Sequence, residues 1–151
     1  MSFVSTEILE QRIKDSNFLG QLKIVSVDDD LYALKVLFGL LCSLGIRQVV
    51  EFDKPQDALI YILQSPPDII ITDNMMPGLS GVEMTKIIRA QPQPIFKNIP
   101  IIMATCAGDF FHIDQARRVG FTSILAKPFS PTELKSKIQA ELKNIPDIAT
   151  K

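Results

Sequence analysis

The stretch LKIVSVDDD, residues 22–30, is an apolar, β-branched run that stops at three consecutive carboxylates. A continuous apolar run of this kind marks a strand buried on both faces, and the acids mark the edge where the chain leaves the sheet. Beyond it, Leu34, Leu37, Phe38, Leu41 and Leu44 recur at helical spacing and Gly45 follows as a stop, so a helix of roughly four turns is expected. The alternation then repeats. Gln48 to Phe52, Asp68 to Thr72, Ile99 to Ala104 and Thr122 to Ala126 read as strands, and Pro55 to Leu63, Gly81 to Ala90, Asp109 to Val119 and Pro131 to Leu142 as helices.

Two helix starts carry a capping-box pattern, Ser80 with Glu83 and Ser130 with Glu133, in which each side chain satisfies an otherwise orphan backbone donor. Five strands alternating with five helices call for an α/β fold, a doubly wound five-stranded parallel sheet covered on both faces by right-handed crossovers. Ligands of such sheets bind beyond the carboxyl ends of the strands, where the strand order reverses. Gln91 to Pro100, with three prolines, reads as an irregular loop.

With 151 residues and 46% hydrophobic composition, the chain suffices for one core and not for two ordinary domains. The expected layout is an extension over 1–20, a domain over 21–144 and a tail over 145–151. In the extension Ile8, Leu9 and Ile13 suggest a weakly amphipathic helix and Gly20 a break, so the segment is expected to be partly helical and to have some packing role. A dimerisation helix, a cap on the domain and a disordered leader all stay open. The 16 Lys and Arg against 17 Asp and Glu leave a net charge of -1, without the electrostatic footprint of a partner for nucleic acid or an anionic membrane. Cys42 and Cys106 lack metal-ligand spacing and stand among apolar neighbours, which points to unbridged thiols in a reducing, cytoplasmic compartment, with Cys106 expected as a small buried hydrophobe. No segment has the form of a signal peptide or the ~18 to 20 apolar residues of a membrane span.

The strand ends supply Asp28 and Asp29, Asp73, Thr105, and Lys127 before Pro128. Three carboxylates crowded together repel by ~1 kcal/mol per pair in water and more in a cleft. A hard divalent cation offsets that. Magnesium suits an all-oxygen set that leaves room for water and phosphate, whereas zinc lacks its usual ligands here. A carboxylate beside magnesium attacks phosphorus as a nucleophile, while a hydroxyl and an ammonium bind the oxygens where charge develops. Thr105 and Lys127 match those two roles.

From about Leu22 to Leu142 the pattern resembles the receiver domain of two-component response regulators, of the chemotaxis-regulator type. The resemblance rests on the acidic pair Asp28 and Asp29, on DNMMPGLSG from Asp73 to Gly81, on ATC from Ala104 to Cys106 and on AKPF from Ala126 to Phe129. It implies a flavodoxin-like sheet of strand order 2-1-3-4-5. It further implies a signalling switch, not an enzyme acting on other molecules, that accepts a phosphoryl group on Asp73 from a sensor histidine kinase or phosphotransfer protein. Magnesium would be held by Asp29, Asp73 and the backbone carbonyl of Met75, with Asp28 acting through water. Thr105 would move toward the phosphoryl group and Lys127 would pair with it. The surface of the fourth helix, fifth strand and fifth helix would then meet a downstream protein target. The sequence departs from the family at Ile124, where an aromatic residue commonly couples to the Thr, and at Cys106, where a smaller residue is usual. Met75 and Ala107 offer no polar side chain to position water, so slow to moderate hydrolysis of the phosphoryl group is expected.

Other readings accompany these. The acidic triplet alone suits a turn and helix cap, Met75 and Met76 suit packing, and Lys127 suits an exposed loop. His112 is expected on a solvated helix face, and at least one of Phe110 and Phe111 in the core. A receiver belonging to a longer regulator, a degenerate receiver acting as a constitutive binding module, and a homodimer remain alternatives. A flavodoxin-type cofactor binder is disfavoured by the acidic loop after the first strand, where a phosphate needs Gly and donors.

Overall fold

Alternate residues along each apolar run enter opposite cores. Ile24, Ile69, Ile71, Ile102, Ala104 and Leu125 belong to one buried cluster, and Val25, Val27, Ile70, Ile101, Met103 and Ile124 to the other. Strands with both faces buried need no polar alternation, which is why the runs are continuous. The computed structural model describes residues 16–142, with Ser5, Glu7 and Ile8 ahead of them. The helix expected around Leu9 and Ile13, and the tail from Ile145, lie outside the described residues.

The elements are α1 (Ser16–Gln21), β1 (Lys23–Val27), α2 (Leu31–Ser43), β2 (Gln48–Phe52), α3 (Pro55–Gln64), β3 (Ile69–Thr72), α4 (Gly81–Ala90), α5 (Ile95–Asn98), β4 (Ile101–Cys106), α6 (Phe110–Gln115), β5 (Ser123–Lys127) and α7 (Pro131–Glu141). All strand pairs are parallel, in the order β2-β1-β3-β4-β5. The first core lies under α1, α2 and α7 through Phe18, Leu19, Leu37, Leu41, Leu134 and Ile138. Ala58, Ile62, Met84, Ile88, Phe96 and Ile113 cover the other face from α3, α4, α5 and α6.

Between residues 16 and 142 the five expected helices are joined by two short ones. Gly20 does not break the chain but lies within α1, whose Phe18 and Leu19 are carried into the first core. The stretch read as a loop, Gln91 to Pro100, contains α5; Pro94 at its start has helical φ, and Phe96 anchors the turn by its burial. The helix expected over Asp109 to Val119 is broken into a 3-10 turn at Ala107–Asp109, α6, and a second 3-10 turn at Arg117–Val119. Ile113 is the buried residue of α6, and one anchor does not make the continuous stripe that sustains a longer helix. On α2, Leu34, Leu37 and Leu41 form the buried stripe, and Phe38 turns outward, 40% exposed.

Ser80 and Glu83 make both bonds of the capping box. At Ser130 the hydroxyl accepts from the Glu133 N–H, and no return bond is present among the described residues. Arg89, near the end of α4, donates to the carbonyls of Gly120, Phe96 and Ile99 at 2.6 to 3.0 Å, joining α4, α5 and the turn before β5. Burial lowers the Arg89 pKa from the ordinary arginine value, against the opposing charge of Glu141.

Candidate functional site

Where β1 and β3 end, the ladder continues for one more bond each. The Asp28 N–H donates to the Phe52 carbonyl at 3.1 Å and the Asp73 N–H to the Val27 carbonyl at 2.9 Å. Both carboxylates therefore stand at the carboxyl edge between β1 and β3, the point at which the strand order reverses. The two-residue period of a strand places Asp28 and Asp73 on the face of the first core, in line with Ile24 and Ile71, and Cys106 and Lys127, register partners on β4 and β5, on that same face. Thr105 alternates to the opposite face, beside Met103 and Ile124.

Carboxylate oxygens of Asp28, Asp29 and Asp73 lie within 4.8 Å of one another. Lys127 Nζ donates to Asp28 Oδ2 at 2.6 Å and stands 3.8 Å from Asp73 Oδ2; its peptide bond to Pro128 is cis. Burial is the largest cause acting on Asp73 and pushes its carboxyl above the usual aspartate value. The Lys127 charge and the Asn74 N–H pull against it, and the Asp28 and Asp29 charges reinforce it. For Lys127 burial acts to lower the pKa, but the bond to Asp28 and the charges of Asp73 and Asp28 outweigh it and leave the ammonium above the ordinary lysine value.

Asp30, the last of the acidic triplet, accepts from the Tyr32 and Ala33 N–H groups and caps α2, so the blander reading of the triplet holds for that residue. Asp28 Oδ1 accepts from the Asp30 N–H at 2.9 Å. After Asp73 the chain turns through residues 74–80 into α4; Met76 is buried and Met75 is 64% exposed. Thr105 is fully buried and its Oγ1 has no hydrogen-bond partner among the described residues. Ile124 is buried in the second core. Beside the acids a cavity of about 390 Å³ is lined by Asp28, Asp73, Cys106, Lys127, Phe129 and the Tyr32–Leu40 face of α2.

The structure thus draws Asp28, Asp29, Asp73 and Lys127 together, with Thr105 one residue from the same edge on the far side of the sheet. Three carboxylates and one ammonium leave an excess of two negative charges in an all-oxygen donor set, which fits a hard divalent cation. Two expectations are corrected. Cys106, expected to be buried, is exposed, because it is the residue at which β4 leaves the sheet; Cys42, one step past the buried stripe of α2, is exposed as well. Phe110 and Phe111 are both exposed, at 42% and 67%, because α6 turns Ile113 inward instead. His112 faces solvent, as expected. Asn74 was missed: it accepts from the Gly81 and Val82 N–H groups, beyond the span of local side-chain capping patterns.

Residues 24–139 match the response regulator receiver domain, and the chain belongs to that family. Asp phosphorylation is characteristic of these two-component proteins, whose general function is a phosphorylation switch, and they interact with histidine kinases or phosphotransfer proteins. Chemotaxis protein CheY-3 of Vibrio cholerae is 32% identical over 117 residues, covering 78% of this chain and 88% of that protein. The phosphate regulon transcriptional regulatory protein PhoB of Pseudomonas aeruginosa is 31% identical over 121 residues, 80% of this chain, and the match spans only 52% of its length. Among solved structures, chemotaxis response regulator CheY4 of Vibrio cholerae superposes with a TM-score of 0.71 at 29% identity, covering 80% of this chain and 98% of that one. The receiver domain of sensor histidine kinase PA1611 from Pseudomonas aeruginosa, with magnesium coordinated in its active-site cleft, gives 0.72 at 29% identity, covering 80% and 97%. Among the described residues no helix is long and apolar enough to cross a membrane.

Proposed function

We propose that Asp73 is the phosphoacceptor of a cytoplasmic switch, charged by a sensor histidine kinase or a phosphotransfer protein. The observation that carries this reading is the grouping of Asp73 with Asp28 and Asp29 within 4.8 Å while its Oδ2 faces Lys127 Nζ at 3.8 Å. In the transfer an Asp73 carboxylate oxygen attacks phosphorus, the P–N bond of the phosphohistidine breaks, and the imidazole keeps the electron pair and takes a proton from solvent. Asp29, Asp73 and the Met75 carbonyl would hold magnesium, with Asp28 acting through water, and the ion would supply charge neutralisation for the crowded acids and the transferred oxygens. Lys127, already close to Asp73, pairs with the phosphoryl oxygens.

Thr105 supplies the readout. Its buried hydroxyl has no partner among the described residues, which costs free energy, and a phosphoryl group on Asp73 gives it an acceptor to move toward. With Ile124 in place of an aromatic residue, that movement is passed on by aliphatic packing in the second core. Inverting a mostly inactive population takes roughly 5 kcal/mol of differential stabilisation, which charge-assisted bonds from Thr105 and Lys127 supply in part. The exposed Phe110 and Phe111 belong to the surface offered to a protein target. A second reading, that the chain is the receiver of a longer regulator, is favoured by the match to PhoB, which covers about half of that protein.

Intact-mass spectrometry after incubation with phosphoramidate and magnesium tests the assignment. One added phosphoryl mass is expected, absent in Asp73→Asn and absent with a chelator. A folded, magnesium-supplied protein that gains no mass would be a constitutive binding module instead.

A further inference from the structure

Asn74 is bonded at three points, and each secures a different part of the loop that follows Asp73. Its backbone N–H donates to Asp73 Oδ1 at 2.8 Å. Its carbonyl accepts from the Gly81 N–H at 3.0 Å, and its side-chain Oδ1 accepts from the Val82 N–H at 3.0 Å. The first N–H groups of a helix have no partner within it, and here the first two donors of α4 go to Asn74 while the third, from Glu83, goes to the Ser80 hydroxyl at 3.0 Å. Gly81 permits the closure: a Cβ there would lie 2.3 Å from the Asp73 carbonyl oxygen and 3.1 Å from Asn74 Cα. The loop is thus shut where it leaves β3 and where it enters α4.

We infer that Asn74 is a positioning residue for phosphoryl acceptance, an inference that rests on Asp73 being the phosphoacceptor. Clasping the start of α4 fixes the peptide between Asp73 and Asn74, whose N–H occupies Oδ1. Oδ2 is left as the oxygen that faces Lys127 at 3.8 Å and is presented to phosphorus. The bond from the Gly81 N–H to the Asn74 carbonyl likewise fixes the Asn74–Met75 peptide, the one directly ahead of the Met75 carbonyl. Asn74 touches none of the reacting atoms with its side chain and acts through the backbone it holds.

The test compares wild type with Asn74→Ala, Asn74→Asp and Ser80→Ala. Two quantities are read: exchange of the Val82 amide hydrogen in metal-free protein, and the rate of mass gain from phosphoramidate across a magnesium titration. In Asn74→Ala the Val82 amide is expected to exchange faster and the rate at saturating magnesium to fall about tenfold, as a displaced nucleophile does. Asn74→Asp, which keeps an acceptor for Val82, restores both. Ser80→Ala loosens the same helix start without touching the Asp73–Asn74 peptide and keeps the wild-type rate.

An opened Val82 amide with an undiminished rate overturns the inference, and so does an equal rate loss in Ser80→Ala or an Asn74→Asp that protects Val82 yet stays slow. If Asn74→Ala does not fold, Asn74→Gln, which displaces the amide by one methylene, carries the same comparison. A wild-type chain that gains no mass, or an Asp73→Asn chain that does, overturns the phosphoacceptor reading and this inference with it.

Discussion

At Asp73 the fold works against the charge that its proposed chemistry needs. Burial and two neighbouring carboxylates raise its pKa, so the folded state binds a proton more readily there than the unfolded chain does. The stability tied to that group is fully present below the unfolded aspartate value, ~3.9, and is lost as pH rises through the folded one. Asp73→Asn is therefore expected to melt higher than wild type at pH 7 in the absence of magnesium, by roughly 2–4 °C if the relieved repulsion is ~1 kcal/mol. Below about pH 4 the two proteins should converge. Thermal melts across pH check this, and a variant that melts lower at neutral pH would contradict it. Reading strand ends located Asp28, Asp29, Asp73 and Lys127, because those positions follow from the ends of apolar runs. Which thiol or ring reaches solvent depends on where β4 leaves the sheet and how α6 rolls about Ile113, and neither leaves a trace in local residue order. Asn74 escaped because its partners lie seven and eight residues downstream, across a loop whose closure depends on Gly81.

Helix starts show how well local chemistry specifies elements. The Ser80 to Glu83 pattern is realised with both bonds, and α4 begins at Gly81 as expected. Ser80→Ala removes the acceptor for the Glu83 N–H, and is expected to lower stability by ~1 kcal/mol, seen as ~2–4 °C in a thermal melt. An unchanged melting temperature would mean that water or another group replaces the hydroxyl. The same reasoning set the start of α7 at Pro131. It failed where packing, not capping, decides: α5 forms in a proline-rich stretch because Phe96 is buried, and the region after β4 is divided because Ile113 is its single deep anchor. The fourth strand begins two residues later than the apolar run suggested, since Ile99 closes the turn of α5.

For the whole molecule, the two cores hold the sheet from both faces with no contribution from the acidic site, so metal removal is expected to leave the domain folded. Under the proposed function magnesium would bind the folded state and stabilise it by mass action, by ~2.7 kcal/mol at a concentration one hundred times the dissociation constant, which raises the melting temperature. Asp29→Asn should lose most of that rise, which differential scanning fluorimetry with and without a chelator measures; an equal rise in both proteins would remove Asp29 from the metal site. The parallel five-stranded architecture was legible because continuous apolar runs alternating with helical periods admit few other arrangements. The joint made by Arg89 was not, because its acceptors are all main-chain carbonyls, of Phe96, Ile99 and Gly120. Every amino acid supplies a carbonyl, so this fastening asks nothing of the side chains at the three acceptor positions beyond their own packing. Gly120 alone is held, by its φ of +106° and by a Cβ that would meet the Arg89 chain at 3.0 Å. In a library of random variants, tolerance along this seam should therefore collapse at Arg89 and Gly120 while the joint itself accepts substitution at the other two, a record of mutational drift written by the backbone.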